Sequence, residues 1–383
     1  MEILHFCPSR SFSGLEQYAL QLAVSQKKTG LKVGFVVCPN SPLEGHCLTH
    51  SIDVVRFDPY SFFGTFNFWS RFYKFLKSNK NLKIIHLHST QEIYHLSIPL
   101  AVRRIMTRFL KKPKVVLQIH IWLNHKKRDP LHLALYKLVD EIWCSSTMAR
   151  QALVQNLPID EKKIKVVNYG RDIQYIDKNV LEKDMARATL GLSTDALIIG
   201  TVSRIEKSKG IRELVEAVVA IAEENQTIEL TIIGDVRPKD DNAEKYFNDL
   251  KTYLSTTDKN LSRRIHFLGS KDDSFQYLNA FDLYVLPSHQ ECFSLSLLDA
   301  QLVQLPVVGS NSGGTPEVVK EGVTGYLFEP ENVESLKSKL REALFHKENW
   351  PDYGSRASQR VRRDFDQQKV FEHILFEYEN STG

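Results

Sequence analysis

Short apolar runs separated by stretches of helical spacing recur along the whole chain. Ile3 to Cys7 and Val33 to Cys38 read as buried strands. Between them Leu15, Tyr18, Ala19, Leu22 and Ala23 keep the i, i+3, i+4, i+7, i+8 spacing of an amphipathic helix. Further strands are predicted at residues 84–88, 115–120, 142–145 and 164–167. The second half repeats the alternation, with strands at 196–202, 229–233, 265–268, 283–286 and 306–308 and helices at 211–224, 243–253, 295–302 and 333–345. Strands alternating with helices over such distances predict parallel sheets covered by helices. The polar segment from Arg171 to Ala186 carries no strand pattern and reads as a domain linker. The expected fold class is therefore α/β, with two doubly wound, Rossmann-like domains at 1–180 and 181–365 facing a cleft, because ligands of such sheets lie beyond the carboxyl ends of the strands.

Composition narrows the class without changing the picture. A chain of 383 residues is comfortable for two cores, and 42% apolar with 25% charged residues is ordinary for a globular protein. No run approaches the ~20 apolar residues of a membrane-spanning helix, and the N-terminus lacks a secretory pattern. Five cysteines, scattered and without metal-type spacing, fit a reduced cytoplasmic location. Charge is unevenly divided. Residues 1–180 hold 26 Lys and Arg against 13 Asp and Glu, and the other 203 hold 24 against 33. A basic first half suits an anionic partner.

Candidate chemistry concentrates between Glu291 and Glu317. This stretch carries an acid, a small-polar turn, an apolar run, a second acid at Asp299, a strand and the loop Ser312-Gly313-Gly314. The pattern suggests a backbone cradle for phosphate, since a helix N-terminus offers free N–H groups and positive potential. Eight residues separate the acids, a little over two helical turns, which predicts two carboxylates at different depths on a similar helix face. Upstream, Arg204 and Lys209 follow the strand Ile198–Val202, so a planar fork and a compact cation can both face a diphosphate.

Glu291-Cys-Phe-Ser-Leu-Ser-Leu-Leu-Asp299 resembles the E-x7-E signature of retaining GT-B glycosyltransferases, above all glycosyltransferase family 4. The second acid is Asp where the family usually has Glu. The resemblance implies the GT-B architecture, with residues 366–383 a C-terminal helix crossing back to the first domain. It implies that Arg204 and Lys209, in the family's Arg-x4-Lys spacing, hold the donor diphosphate. Glu291 becomes a catalytic donor-sugar ligand and electrostatic stabiliser, since an oxocarbenium-like transition state needs negative charge nearby. Phe293, Ser294 and Leu295 supply backbone N–H groups, and Asp299 accepts ribose hydroxyls. Gly14, at the turn between the first strand and first helix, takes the place of the family's glycine-rich loop. His120, at the end of the 115–119 strand, is the second catalytic candidate, with His86, His88, His95 and His125 as rivals.

No cofactor is expected. The co-substrate is a UDP- or GDP-linked sugar, and without an Asp-x-Asp strand end or Cys/His spacing no metal is expected either. Expected partners are the nucleotide-sugar donor and a glycan or lipid-linked acceptor. An aromatic stretch from Tyr60 to Phe75 and basic clusters at Arg103-Arg104, Arg108, Lys111-Lys112 and Lys126-Lys127-Arg128 suit an anionic membrane surface, hence a peripheral place on the inner face of the cell membrane. The implied activity is a metal-independent hexosyltransferase of lipopolysaccharide, surface polysaccharide or glycolipid synthesis. A nucleotide-sugar epimerase and a non-enzymatic binder of anionic polymer remain alternatives. No nucleic acid is expected, since no recognition motif is present.

Overall fold

The structure, a computed structural model, describes residues 1–12, 14–58, 64–106 and 113–380, with the side chains of 64–67 and 103–106 left aside. Two compact units emerge, Met1–Asn168 with Gln368–Gly383, and Tyr169–Gln367.

The first unit is built on seven parallel strands: β1 Ile3–Phe6, β2 Val33–Val37, β3 Asp53–Arg56, β4 Ile84–Leu87, β5 Lys114–Ile119, β6 Glu141–Cys144 and β7 Ile164–Val166. Their order is β3-β2-β1-β4-β5-β6-β7. The central strands are buried throughout, as both-face helix cover requires. The strand β3 escaped prediction because it lies at the sheet edge, half-exposed, with polar residues at both ends. The helix Gly64–Ser78 turns Phe68, Phe72 and Leu76 into the core. Phe68 and Phe72 therefore pack inside rather than forming a surface, while residues 60–63 and the side chains of 64–67, the first part of that aromatic stretch, lie outside the described residues.

The C-terminal helix Gln367–Asn380 completes this unit. Val370, Phe371, Ile374 and Tyr378 are its buried positions. Tyr378 stacks on Trp143 at 5.2 Å between centroids, and Glu377 meets Lys165. The crossing-back implied by the sequence resemblance is thus present.

Six parallel strands form the second sheet: β8 Leu197–Val202, β9 Ile228–Ile233, β10 Ile265–Phe267, β11 Leu283–Leu286, β12 Val307–Ser310 and β13 Tyr326–Phe328. Their order is β10-β9-β8-β11-β12-β13. The helices Ile211–Glu224, Leu295–Leu302 and Val333–Phe345 run between the predicted bounds. The linker expected over 171–186 is instead structured, and the boundary falls at 168/169 rather than 180/181. Arg171 pairs with Asp366 as a parallel bridge, and helices Ile173–Asn179 and Lys183–Leu190 follow. Arg187 staples the second of them: its guanidinium donates to Ala280 O, Thr194 O and Asp282 Oδ2 at 2.7–3.0 Å. A buried cation with its donors satisfied replaces the apolar periodicity that would have marked the segment.

Candidate active site

The strand order of the second sheet reverses between β8 and β11. Loops leaving the carboxyl ends of strands on either side of such a reversal leave a crevice that suits a ligand. After β8 the chain makes a short 3-10 turn, Lys207–Lys209, and enters the next helix through Gly210. After β11 the segment Pro287–Ser294 leads to the helix Leu295–Leu302. After β12 comes the loop Asn311–Gly314.

These loops interlock through their backbones. His289 N donates to Ser208 O (2.9 Å), Gly314 N to Glu291 O (2.8 Å), and the hydroxyls of Ser310 and Ser312 to Ser288 O and His289 O (2.6 and 2.7 Å). Gly313, at φ +54°, approaches so closely that a Cβ there would lie 2.0 Å from Glu291 O. Only glycine adopts that conformation freely and allows that contact.

The interlocked loops bring Lys209 to Glu291. Lys209 Nζ donates to Glu291 Oε1, and Ser288 Oγ donates to the same oxygen at 3.1 Å. Both charged side chains are mostly covered, 15% and 20% exposed, so their attraction is less screened than a surface pair's. A cation and a carboxylate held at one point can each take a different part of one ligand, phosphate oxygen and sugar hydroxyl. Ser294 caps the following helix, its hydroxyl accepting from Leu297 N at 3.2 Å. Phe293 is buried edge-on to Tyr169 and Phe365, so its side chain is a packing group. The Cys292 thiol, pushed up to about 12 by burial, is a packing group.

One expectation is redrawn. Glu291 precedes the helix by four residues and lies in the loop, so the two acids do not share a helix face. The cap at Ser294 fixes where helical hydrogen bonding begins. Asp299, inside the helix and 7% exposed, pairs with Arg171. Arg204 is exposed and meets Glu206 Oε2 at 3.0 Å, while Glu206 Oε1 accepts from Ser208 Oγ at 2.8 Å. Neither Arg171 nor Glu206 had been singled out: their partners lie far along the chain or in an unremarkable polar loop.

Gly14 and His120 belong to the first unit. Gly14 opens the helix Gly14–Lys28 with nothing within 4 Å of its would-be Cβ; Ser13 lies outside the described residues. His120 follows β5, edge-on to Tyr18 and stacked on His88. Burial pushes its imidazole down to about 3, so it is neutral at physiological pH. It joins a histidine cluster on β1 and β4. Gln26 Oε1 accepts from His5 Nε2 (2.8 Å), so His5 Nδ1 is left to accept from His88 Nε2 (3.0 Å). His86 meets the Tyr378 hydroxyl. Ring nitrogens of His5, His86 and His88 lie within 4.8 Å of one another, the one such group among the described residues. The stacking of His86 on His88, with planes 18° apart and centroids 4.4 Å apart, keeps their in-plane lone pairs in separate, near-parallel planes, a poor arrangement for sharing one ion.

This cluster makes an acid-limb prediction. Burial holds His5 down to about 4 and His86 and His88 well below their usual value. Unfolded histidines titrate near 6.5. Below that pH the unfolded chain takes protons that the folded one refuses, so stability falls as pH falls. The slope is about 1.4 kcal/mol per pH unit per histidine until the folded pKa is reached. Glu92, raised well above its usual range by the same burial, and Asp299, also raised by burial, work in the opposite direction but are outnumbered by the buried histidines. Thermal melts should show Tm dropping between pH 6.5 and 4.5 and His88→Gln flattening that drop; a flat wild-type profile contradicts it.

Sequence comparisons divide along the same two halves. The profile described as Glycosyl transferases group 1 matches residues 182–360, and that described as Glycosyltransferase Family 4 matches 12–175. The UDP-Gal:alpha-D-GlcNAc-diphosphoundecaprenol alpha-1,3-galactosyltransferase of Escherichia coli is 29% identical over 279 residues, 70% of this chain and 67% of that protein. The capsular polysaccharide biosynthesis glycosyltransferase CapM of Staphylococcus aureus is 25% identical over 248 residues, 63% of this chain and 62% of its own length. Among solved structures, Anabaena HepE with UDP and glucose superposes with a TM-score of 0.80 at 20% identity, covering 99% of both chains. A glycosyltransferase from Rickettsia africae gives 0.84 at 19% identity, covering 99% of this chain and 98% of the other. These superpositions share the GT-B fold with the two parallel-sheet units described above.

Proposed function

The chain belongs to the glycosyl transferases of group 1, with a family 4 first half, and from that premise we propose that it moves a hexose from a UDP- or GDP-sugar to a hydroxyl of a glycan or lipid-linked acceptor, with retention at the anomeric carbon. The observation that carries this reading is the meeting of Lys209 and Glu291 at the strand-order reversal. One ligand with a diphosphate and a sugar uses both charges.

In this reading Lys209, with Arg204, neutralises the diphosphate as negative charge grows on the leaving oxygen, a role that otherwise calls for a metal ion. Main-chain N–H groups at Phe293, Ser294 and Leu295, leading into the helix Leu295–Leu302, add donors to the phosphate or sugar. Glu291 binds a sugar hydroxyl and stabilises positive charge at the anomeric carbon. The acceptor oxygen attacks the face from which the diphosphate departs. The bond from anomeric carbon to phosphate oxygen breaks, the new glycosidic bond forms, and the acceptor's proton passes to the leaving phosphate. His120, neutral, serves as a hydrogen-bonding partner on the first unit, and Gly14 leaves its helix start open to a ligand.

Names among the relatives support a polysaccharide or lipid-linked pathway, and lipopolysaccharide and glycolipid synthesis belong to the same range of acceptors. A cytoplasmic protein resting on the inner face of the cell membrane fits such an acceptor. No described helix is long and apolar enough to cross a membrane. Tyr94, Ile98, Leu131 and Leu133 are exposed on two helices tied by the Tyr94 to His132 hydrogen bond of 2.8 Å, a surface suited to such contact. Of the basic clusters, Lys126 and Arg128 are exposed; the side chains of Arg103 and Arg104, and residues 108, 111 and 112, lie outside the described set.

Screening UDP- and GDP-sugars for thermal stabilisation, then for transfer with and without EDTA, tests the reading. A stabilising nucleotide sugar, consumed equally in EDTA, is expected. Conversion of the donor to its epimer instead marks an epimerase, and binding with neither transfer nor hydrolysis marks a non-catalytic protein. In the same preparation, failure to sediment with anionic vesicles at low salt removes the membrane contact.

A further inference from the structure

Asp299 carries an ion pair that no reading of its own segment predicts. Arg171 Nε donates to Asp299 Oδ1 across 128 residues of sequence. The arginine is fixed from behind: its N–H donates to Phe365 O (2.8 Å) and its carbonyl accepts from Gln367 N (2.9 Å). Gly170 makes that approach possible, since a Cβ there would lie 2.5 Å from Gln367 Cα. Phe293, two residues from Glu291, fills the space beside Tyr169 and Phe365. Thus the segments by which the chain enters and leaves the second unit aim one guanidinium at the helix that follows the Lys209–Glu291 point.

We propose that Arg171 is the positioning residue that keeps Asp299 an ionised, oriented acceptor for the ribose of the nucleotide, an inference that rests on the donor-binding reading above. A ribose presents hydroxyl donors, so its partner must be a carboxylate rather than a carboxylic acid. Burial works against that: Asp299 is 7% exposed, and desolvation holds its pKa above the ordinary value even though the Arg171 charge and hydrogen bond pull it down, so losing Arg171 would push it higher still. An Asp, one methylene shorter than the Glu of the resembled signature, keeps its carboxylate closer to the helix backbone and so depends more on a neighbouring cation. Arg171 occupies one oxygen only. Among the described residues the other has no protein hydrogen bond and is not sealed from solvent, which leaves it for the ligand.

The test is calorimetric. UDP and GDP are titrated into the intact wild-type protein, and the tighter one is compared with its 2′-deoxy analogue. The wild type should prefer the ribonucleotide about tenfold, one hydrogen bond to a charged group. Arg171→Met and Asp299→Asn should each bring the ratio close to one, whereas Arg171→Lys should keep part of it. A purely structural ion pair predicts another result: Arg171→Met weakens both nucleotides alike and leaves the ratio intact, which overturns the proposal. Should Arg171→Met not fold, the lysine variant decides, an unchanged ratio counting against and an intermediate one in favour. A wild type that binds without preferring the ribonucleotide sinks this inference alone, and one that binds neither nucleotide sinks the donor-binding reading itself.

Discussion

Replacing Lys209 by Met lowers kcat/KM for sugar transfer by about 10²- to 10³-fold, the usual effect of removing one preorganised group at developing negative charge. Most of the loss should fall on kcat, because charge on the leaving diphosphate is greater in the transition state than in the bound donor. The substitution has a second consequence. Glu291 keeps only the Ser288 hydroxyl on the oxygen that Lys209 had held. It is 20% exposed, so water reaches it and the fold should survive. Steady-state kinetics with a melting curve on the same preparation separate the two effects. A variant that melts like the wild type and transfers sugar at the wild-type rate removes Lys209 from the chemistry.

The second large effect comes from a methyl group. Gly313→Ala places a Cβ 2.0 Å from the carbonyl oxygen of Glu291 in a backbone at φ +54°. The left-handed conformation alone costs about 1–2 kcal/mol for alanine, and the contact forces the Glu291 loop to move. That loop also holds the Gly314 N–H and the hydroxyl of Ser312. The expected total is about 3 kcal/mol of lost stability with at least about tenfold slower transfer, since displacements of about 1 Å in positioned groups have effects of that size or more. Denaturant melts and kinetics check it. Gly14→Ala is the contrast, having open space around the new methyl, and should leave stability unchanged. Equal behaviour of the two variants contradicts the close-packed loop.

How much of this was legible follows from where each signal resides. Central strands such as Ile198 to Val202 and Leu283 to Leu286 are buried on both faces, so continuous apolar runs announce them. Helices with a broad apolar face, such as Ile211–Glu224, announce themselves by period. The edge strands β3 and β13 did not, being half-exposed in one case and three residues long in the other. Helix Lys183–Leu190 is held by Arg187 to Asp282, 95 residues away, which local pattern cannot carry. The candidate site divides in the same way. Lys209 and Glu291 could be nominated separately, but their meeting depends on β8 lying beside β11, a fact of sheet order. Arg171 was invisible for a like reason: a polar segment without period gives no hint of the buried acid it serves. The helical spacing of Glu291 and Asp299 misled, because a serine cap started the helix between them.

The most direct measurement is a crystal structure of the protein with a bound UDP- or GDP-sugar, read for the position of the two phosphorus atoms. The diphosphate should lie within hydrogen-bonding reach of Lys209 Nζ and the N–H groups leading into the helix Leu295–Leu302, with the sugar against Glu291. A nucleotide bound away from Lys209, with the Lys209–Glu291 pair undisturbed and facing only solvent, contradicts it.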